Sequence, residues 1–233
     1  MHTPYAVGHR GAAAVLPENT VRGFEYAIEL GCDYTECDVH LTRDKRLIVM
    51  HDTKVDRTTN GSGAIADMKF DEIRALDAGD GLQVPTFAEV LNTTSTHIRL
   101  LCELKGEGVV EAAVGAVTQL GLQEQVVFTS FSMDRLARVK QIDDRLEIGA
   151  ILPNPSDDDI PMAHDLGATA IGVQFRNMSM RRVQQALDLG MHIRAWNPDL
   201  LDEMKAMIGL GVSGVSSNRP DILVDHLRAE GLR

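Results

Sequence analysis

Short runs of β-branched and apolar residues recur along the chain, each followed by a longer stretch in which apolar positions return every three to four residues. That alternation predicts a parallel sheet covered by helices, because strands buried on both faces read as continuous apolar runs while each connecting helix buries one stripe. The strand candidates are Tyr5 to Gly8, Asp33 to Asp38 with a companion at Leu47 to Met50, Ile98 to Leu104, Val126 to Thr129, Leu146 to Leu152, Ala168 to Phe175, His192 to Trp196 and Val212 to Ser217. Helical periodicity fills Thr20 to Leu30, Gly108 to Leu120, Met133 to Gln141, Met180 to Leu189 and Leu200 to Leu210. Gly31, Gly121, Gly167, Gly190 and Gly211 stand just before the next strand, where the left-handed conformation that stops a helix suits glycine.

A repeat of roughly 22 to 28 residues predicts a (β/α)8 TIM barrel, a fold for which about 250 residues is typical. A doubly wound open sheet is the competing architecture. It usually carries a glycine-rich phosphate loop after an early strand, and Gly8-His9-Arg10-Gly11 does not have that spacing. The rhythm breaks between Met50 and Ile98, a stretch holding Thr58-Thr59-Asn60-Gly61-Ser62-Gly63 and Ala78-Gly79-Asp80-Gly81. Long irregular segments in compact domains are commonly lids or binding elements. Residues 1–233 therefore read as one barrel domain, with a small insertion after the second strand, at about 53–90, lying over the barrel mouth.

Charge narrows the partners. With 23 Lys and Arg against 34 Asp and Glu, the net charge of -11 opposes binding to nucleic acid or to an anionic membrane. A few cations in a cleft are still enough for a small anion. Cys32, Cys37 and Cys102 have no CxxC spacing and read as free thiols of a reducing compartment. Neither a signal peptide nor an apolar run of about 20 residues is visible, so the expected location is the cytoplasm. A homo-oligomer is compatible with all of this.

In such a barrel the active site forms at the carboxyl ends of the strands. Four of those ends carry chemistry: His9-Arg10, Glu36 with Asp38, His51-Asp52, and Glu103 with Lys105. Strand alternation places Glu36 and Asp38 on one face, and Glu103 and Lys105 on another single face. Three converging carboxylates need protonation, cationic partners or a metal, and oxygen ligands favour Mg²⁺ or Ca²⁺. The alternative for Glu36 and Asp38 is a closed ion network with Arg10 or Lys105. His9 and His51 can remove and deliver protons near neutral pH, as cleavage of a phosphodiester requires. Arg10 and Lys105 supply charge for phosphate oxygens. Trp196, the sole tryptophan, ends its strand where it offers an apolar wall to a substrate or packs in the core. His2, His97, His164 and His226 read as surface or loop residues, His40 as leading from the acidic strand into a turn, and His192 as structural.

The ordered set His9-Arg10-Gly11, Pro17-Glu18-Asn19-Thr20, Glu36-Cys37-Asp38-Val39 with Leu41-Thr42-Arg43-Asp44, Val49-Met50-His51-Asp52, Asp56-Arg57-Thr58-Thr59, Val84-Pro85-Thr86-Phe87-Ala88-Glu89-Val90, Glu103-Leu104-Lys105, Ser130-Phe131, Trp196-Asn197 and Gly211-Val212-Ser213-Gly214-Val215 before Pro220-Asp221 resembles the glycerophosphodiester phosphodiesterase family over nearly the whole chain. The resemblance implies a metal-dependent barrel hydrolase that releases glycerol 3-phosphate and an alcohol. Glu36, Asp38 and Glu103 would be its metal ligands, His9 and His51 its acid and base, and Arg10 and Lys105 its phosphate contacts. Three places depart from the family pattern: Lys45 after Asp44, Asn197-Pro198 after Trp196, and Ser217-Asn218-Arg219-Pro220 near the end. The last two touch the barrel rim, not the metal ligands. Two other readings are a phosphodiesterase for another phospholipid-derived or sugar diester, and a catalytically silent barrel that binds a glycerophosphate. For either enzyme reading the attacking oxygen is water or the substrate's own adjacent hydroxyl.

Overall fold

The computed structural model describes residues 3–233, and His2 lies outside them. Nine strands form one sheet: β1 (Tyr5–Gly8), β2 (Tyr34–Leu41), β3 (Leu47–Val49), β4 (Arg99–Leu104), β5 (Val126–Ser130), β6 (Glu147–Ile151), β7 (Ala170–Gln174), β8 (His192–Trp196) and β9 (Gly214–Ser217). All but β3 are parallel, and β1 pairs with both β2 and β9, so eight strands close into a barrel. β3 hangs antiparallel on β2, opposing Val39 to Leu41. This is the expected TIM barrel with an addition after the second barrel strand.

The helices are α1 (Val21–Leu30), α2 (Phe70–Arg74), α3 (Phe87–Thr94), α4 (Val109–Gln119), α5 (Met133–Ile142), α6 (Asp159–Asp165), α7 (Met180–Asp188), α8 (Leu201–Gly209) and α9 (Pro220–Ala229). Local chemistry sets their ends. Thr20 caps α1 by accepting from the Gly23 amide, and Gly31 stops the helix at φ 77°. Thr86 and Glu89 form a reciprocal capping box that starts α3. Four helices lay outside the periodicity reading: α2 and α3 fall in the stretch read as irregular, and α6 and α9 have local reasons. α6 is short and carries Pro161 inside its first turn, and α9 opens on Pro220 directly behind the last strand.

The main apolar core lies between barrel and helices and includes Phe24, Phe87, Leu91, Phe128 and Leu136. Inside the barrel, apolar packing is confined to Val7, Leu101 and Val127 with Tyr5 and Tyr34 against them. The next layer towards the strand ends is polar. The segment between β3 and α3 builds its own small core from Ile48, Met50, Val55, Ile65, Ile73, Ala78 and Val84. Phe87, Val90 and Leu91 of α3 pack in the main core instead. The segment's own apolar cluster thus stops short of Phe87.

His40 corrects an expectation. It does not lead into a turn: β2 continues to Leu41 because β3 pairs with it, so His40 sits opposite Ile48 and is buried. His226 lies in α9, half-buried, whereas His97 and His164 are exposed as expected. The three cysteines are free and buried.

The turn that follows β1 depends on a close approach of chains. A Cβ on Gly8 would stand 2.2 Å from the Gly11 carbonyl oxygen and 2.9 Å from the Ala27 Cβ. Gly8→Ala is therefore expected to lower stability by about 1–3 kcal/mol through overpacking. Urea unfolding that matched the unsubstituted chain would show that this turn can relax.

Candidate active site

β2 and β4 are adjacent and parallel, with Asp38 opposite Glu103. Because Glu36 and Asp38 share a face, both meet Glu103 inside the barrel mouth, and one oxygen of each lies within 4.8 Å of the others. All three are buried. The left-handed turn at Arg10 (φ 49°) aims its backbone N–H at Glu36 Oε2, 3.0 Å away. That conformation costs on the order of 1 kcal/mol in a residue other than glycine. Asn19 Nδ2 donates to Asp38 Oδ2 at 2.9 Å.

The ion network considered as the alternative forms in part. Arg10 Nε is 3.5 Å from Asp38 Oδ2, and Lys105 Nζ is 3.0 Å from Glu103 Oε1 and 3.5 Å from Asp38 Oδ1. Yet Glu36 Oε1 and Asp38 Oδ1 are buried without a hydrogen-bond partner. Two cations thus face three acids, and Arg10 is also shared with Glu18 at 3.0 Å. Burial first, then Asp38 and Glu103, push the Glu36 carboxyl well above its ordinary range. Burial followed by Asp38 raises Glu103 to about 7. Burial acts upward on Asp38 too, but Lys105 and Arg10 outweigh it and hold that carboxyl low. A cluster that leaves buried acid oxygens unpartnered and two of its carboxyls reluctant to ionise has the donor chemistry of a hard divalent cation site.

The two histidines flank this cluster. His9 Nε2 lies 3.7 Å from Glu36 Oε2, and His9 Nδ1 lies 2.6 Å from Asn218 Oδ1. The amide side of Asn218 donates to Asp199 Oδ2 at 2.7 Å, which leaves its oxygen to accept and puts the imidazole proton on Nδ1. Asn197 Nδ2 sits 3.2 and 3.3 Å from the two ring nitrogens. Burial first, then Arg10, push His9 down to about 4.

His51 follows the same logic with a charged partner. Its Nδ1 is 2.6 Å from Asp52 Oδ1, so Nδ1 carries a proton towards that carboxylate and Nε2 is left to the cleft. Arg57 donates through Nε to Asp52 Oδ2 at 2.8 Å and through Nη1 to Glu18 Oε2 at 2.8 Å. These bonds, those from Arg57 first, hold the Asp52 carboxyl far below its usual range. A chain of charges, Arg10–Glu18–Arg57–Asp52–His51, therefore ties the first barrel loop to the inserted segment.

His9, His51, Glu36, Glu103, Lys105 and Trp196 line one cleft. Trp196 and Phe131 meet edge to face at 6.2 Å and form its apolar wall. The site residues singled out in the sequence thus fall at one mouth of the barrel, and all but Asp38, which serves the acid cluster behind it, line the cleft. Glu18, Asp52, Arg57, Asn197, Asp199 and Asn218 were given no role beforehand. Arg194 was also missed. It is 7 % exposed, lines the same cleft, and has no carboxylate within 4.0 Å among the described residues. Its shared strand parity with Trp196 was the available signal. The sequence departures at Asn197 and Asn218 prove to lie against His9.

Residues 9–222 match the model of the glycerophosphoryl diester phosphodiesterase family. A glycerophosphodiester phosphodiesterase of Caldanaerobacter subterraneus is 32% identical over 238 residues, covering 97% of this chain and 98% of its own. The solved glycerophosphodiester phosphodiesterase of Agrobacterium tumefaciens is 27% identical with a TM-score of 0.83, covering 95% and 99% of the two chains. An Oleispira antarctica phosphodiesterase, solved in complex with the product sn-glycerol-3-phosphate, shares the fold at a TM-score of 0.87 and 23% identity over 97% of each chain.

Glu103 generates a prediction about stability. Its folded value of about 7 lies above its ordinary 4.5, so the folded state holds an extra proton between the two. The corresponding stabilisation is complete below the lower value and is lost as pH rises through the upper one. In metal-free buffer the unsubstituted chain should lose Tm relative to Glu103→Gln between pH 4.5 and 8. A Tm difference that stays constant over this window would mean that the carboxyl titrates normally.

Proposed function

The chain belongs to the glycerophosphoryl diester phosphodiesterase family, and we propose that it hydrolyses a glycerophosphodiester to glycerol 3-phosphate and an alcohol. The observation that carries this reading is the convergence of Glu36, Asp38 and Glu103 within 4.8 Å, with Glu36 Oε1 and Asp38 Oδ1 buried and without hydrogen-bond partners, in a cleft that His9 and His51 also line. Glu36, Asp38 and Glu103 would hold Mg²⁺ or Ca²⁺. When bound, such an ion neutralises and orients phosphoryl oxygens, stabilising charge that grows in the transition state. The Oleispira antarctica product complex supports glycerol 3-phosphate as the phosphorylated product.

The chain's own residues divide the remaining work. Asp52 behind His51 stabilises an imidazolium, whereas the neutral Asn218 carboxamide behind His9 does not. We therefore assign to His9 the removal of the proton from the attacking oxygen as it forms the new P–O bond, and to His51 proton delivery to the departing alcohol oxygen. The P–O bond to the alcohol breaks as that oxygen takes its proton. The attacker is water, or the substrate's adjacent hydroxyl, in which case water then opens the cyclic phosphate to glycerol 3-phosphate. Arg10 and Lys105 contribute positive charge beside the phosphate, and Trp196 with Phe131 shields the carbon skeleton from water.

His9→Ala or His51→Ala should each lower kcat by about a hundredfold or more, the range that general acid and base groups supply. Wild-type turnover in either variant would remove that imidazole from the reaction. Chelation should abolish turnover, and either Mg²⁺ or Ca²⁺ should restore it, whereas a rate indifferent to chelator would argue against the acid cluster as a cation site. A panel of glycerophosphodiesters and other diesters, with the phosphorylated product identified, tests the substrate class. Tight binding of glycerol 3-phosphate without turnover of any diester would favour a silent binding barrel.

A further inference from the structure

A groove opens from the cleft past His51 and runs between the inserted segment and the loop from β5 to α5. It shares His51, Glu103, Lys105 and Phe131 with the cleft, so the two are continuous. Its outer walls carry Lys54 on one side and Arg135 on the other. The backbone on each side is fixed. Lys54 bridges Ala64, with Val55 N donating to Gly63 O and Ile65 N to Thr53 O, and Arg135 stands in the first turn of α5, which Ser132 caps. Arg135 Nη1 donates to the Leu104 carbonyl at 3.2 Å, which holds the guanidinium over the groove.

Neither cation has a carboxylate partner within 4.0 Å among the described residues. The carboxylates on the groove walls are Asp52 and Glu103, and both are committed, to His51 and Arg57 and to Lys105 respectively. On a chain with a net charge of -11, two unpaired cations facing one another across a groove beside the reacting centre make a local anion trap. Phe131 at its threshold is 50% exposed and sits 5.7 Å beneath Lys105 Nζ. A cationic headgroup entering here would meet like charge on both sides.

Resting on the proposed hydrolysis, we propose that this groove receives the departing alcohol and selects alcohols that bear an anionic group of their own, a carboxylate or a second phosphate, over cationic ones such as choline. The apolar cleft wall of Trp196 and Ile151 suits the uncharged glycerol, which assigns the charged groove to the other ester arm. Lys54 and Arg135 would act as specificity residues and touch no reacting atom.

The test compares kcat/KM for glycerophosphodiesters whose alcohol is glycolate, glycerol 3-phosphate, glycerol or choline, at low and high ionic strength. The first two should be preferred over choline, and the comparison between them tells a carboxylate from a phosphate as the favoured group. Lys54→Ala and Arg135→Ala should each lower the anionic-to-choline ratio about fivefold, the effect of one charge contact near a surface, and added salt should shrink the ratio in the same direction. Arg135→Lys should retain the preference, separating charge from any loss of the bond to Leu104. Turnover of all four diesters with no preference, or a preference that survives Lys54→Glu and Arg135→Ala in folded protein, overturns the assignment of the groove. Turnover of none of them would sink the hydrolase reading itself, and this one with it.

Discussion

Three carboxylates forced together out of water set the terms for the rest of this barrel mouth. Like charges at that spacing repel strongly once water is excluded, and each acid also loses its hydration. Neighbouring elements answer that demand. Arg10 turns through a left-handed conformation to place its amide on Glu36, Asn19 brackets Asp38, and Lys105 spans Asp38 and Glu103. The compensation is incomplete, and the remaining deficit is a demand for positive charge at one point in space.

Around that point the two imidazoles are oriented by the same device in two electrical versions. Each has Nδ1 against an oxygen at 2.6 Å, which fixes the tautomer and turns Nε2 inward. Behind His9 the oxygen belongs to a carboxamide, itself held by Asp199, and behind His51 it belongs to a carboxylate clamped by Arg57. Similar geometry with a different charge behind each ring makes the two imidazoles electrically unlike. The apolar cleft wall, Trp196 against Phe131, comes from β8 and the loop after β5.

Much of this was legible in the sequence because it follows from local rules. Alternation along a strand is enough to put Glu36 beside Asp38 and Glu103 beside Lys105, and the barrel topology brings these strand ends together. The orienting groups were hidden because their contacts are not local. Asn218 is 209 positions from His9 and Glu18 is 39 positions from Arg57, and no periodicity reports such a meeting. Asp52 stood next to His51 in plain view, but adjacency alone does not distinguish a partner from a neighbour. Arg194 was passed over because a charge in the middle of an apolar strand looks like an irregularity until the glycine opposite is seen. Gly172 has no side chain there, and a Cβ would come within 3.2 Å of the Arg194 guanidinium and the Trp196 ring. The reach of β2 to Leu41 was misjudged because it depends on β3, a three-residue strand with little signal of its own.

The segment between β3 and α3 folds around an apolar cluster separate from the main core and grips the barrel through Arg57, which bonds Glu18 and Asp52 together. Such an arrangement behaves as a detachable module. Its edge is docked by Arg57 together with the Arg43 N–H on the Met68 carbonyl and the Phe70 N–H on Asp44 Oδ1, while its interior packs on its own cluster, apart from the packing constraints that govern the scaffold. Exchange of this segment between barrels would carry His51 and Asp52 along with it, so the recipient would keep its acid cluster and His9 but take one of its two imidazoles from the donor.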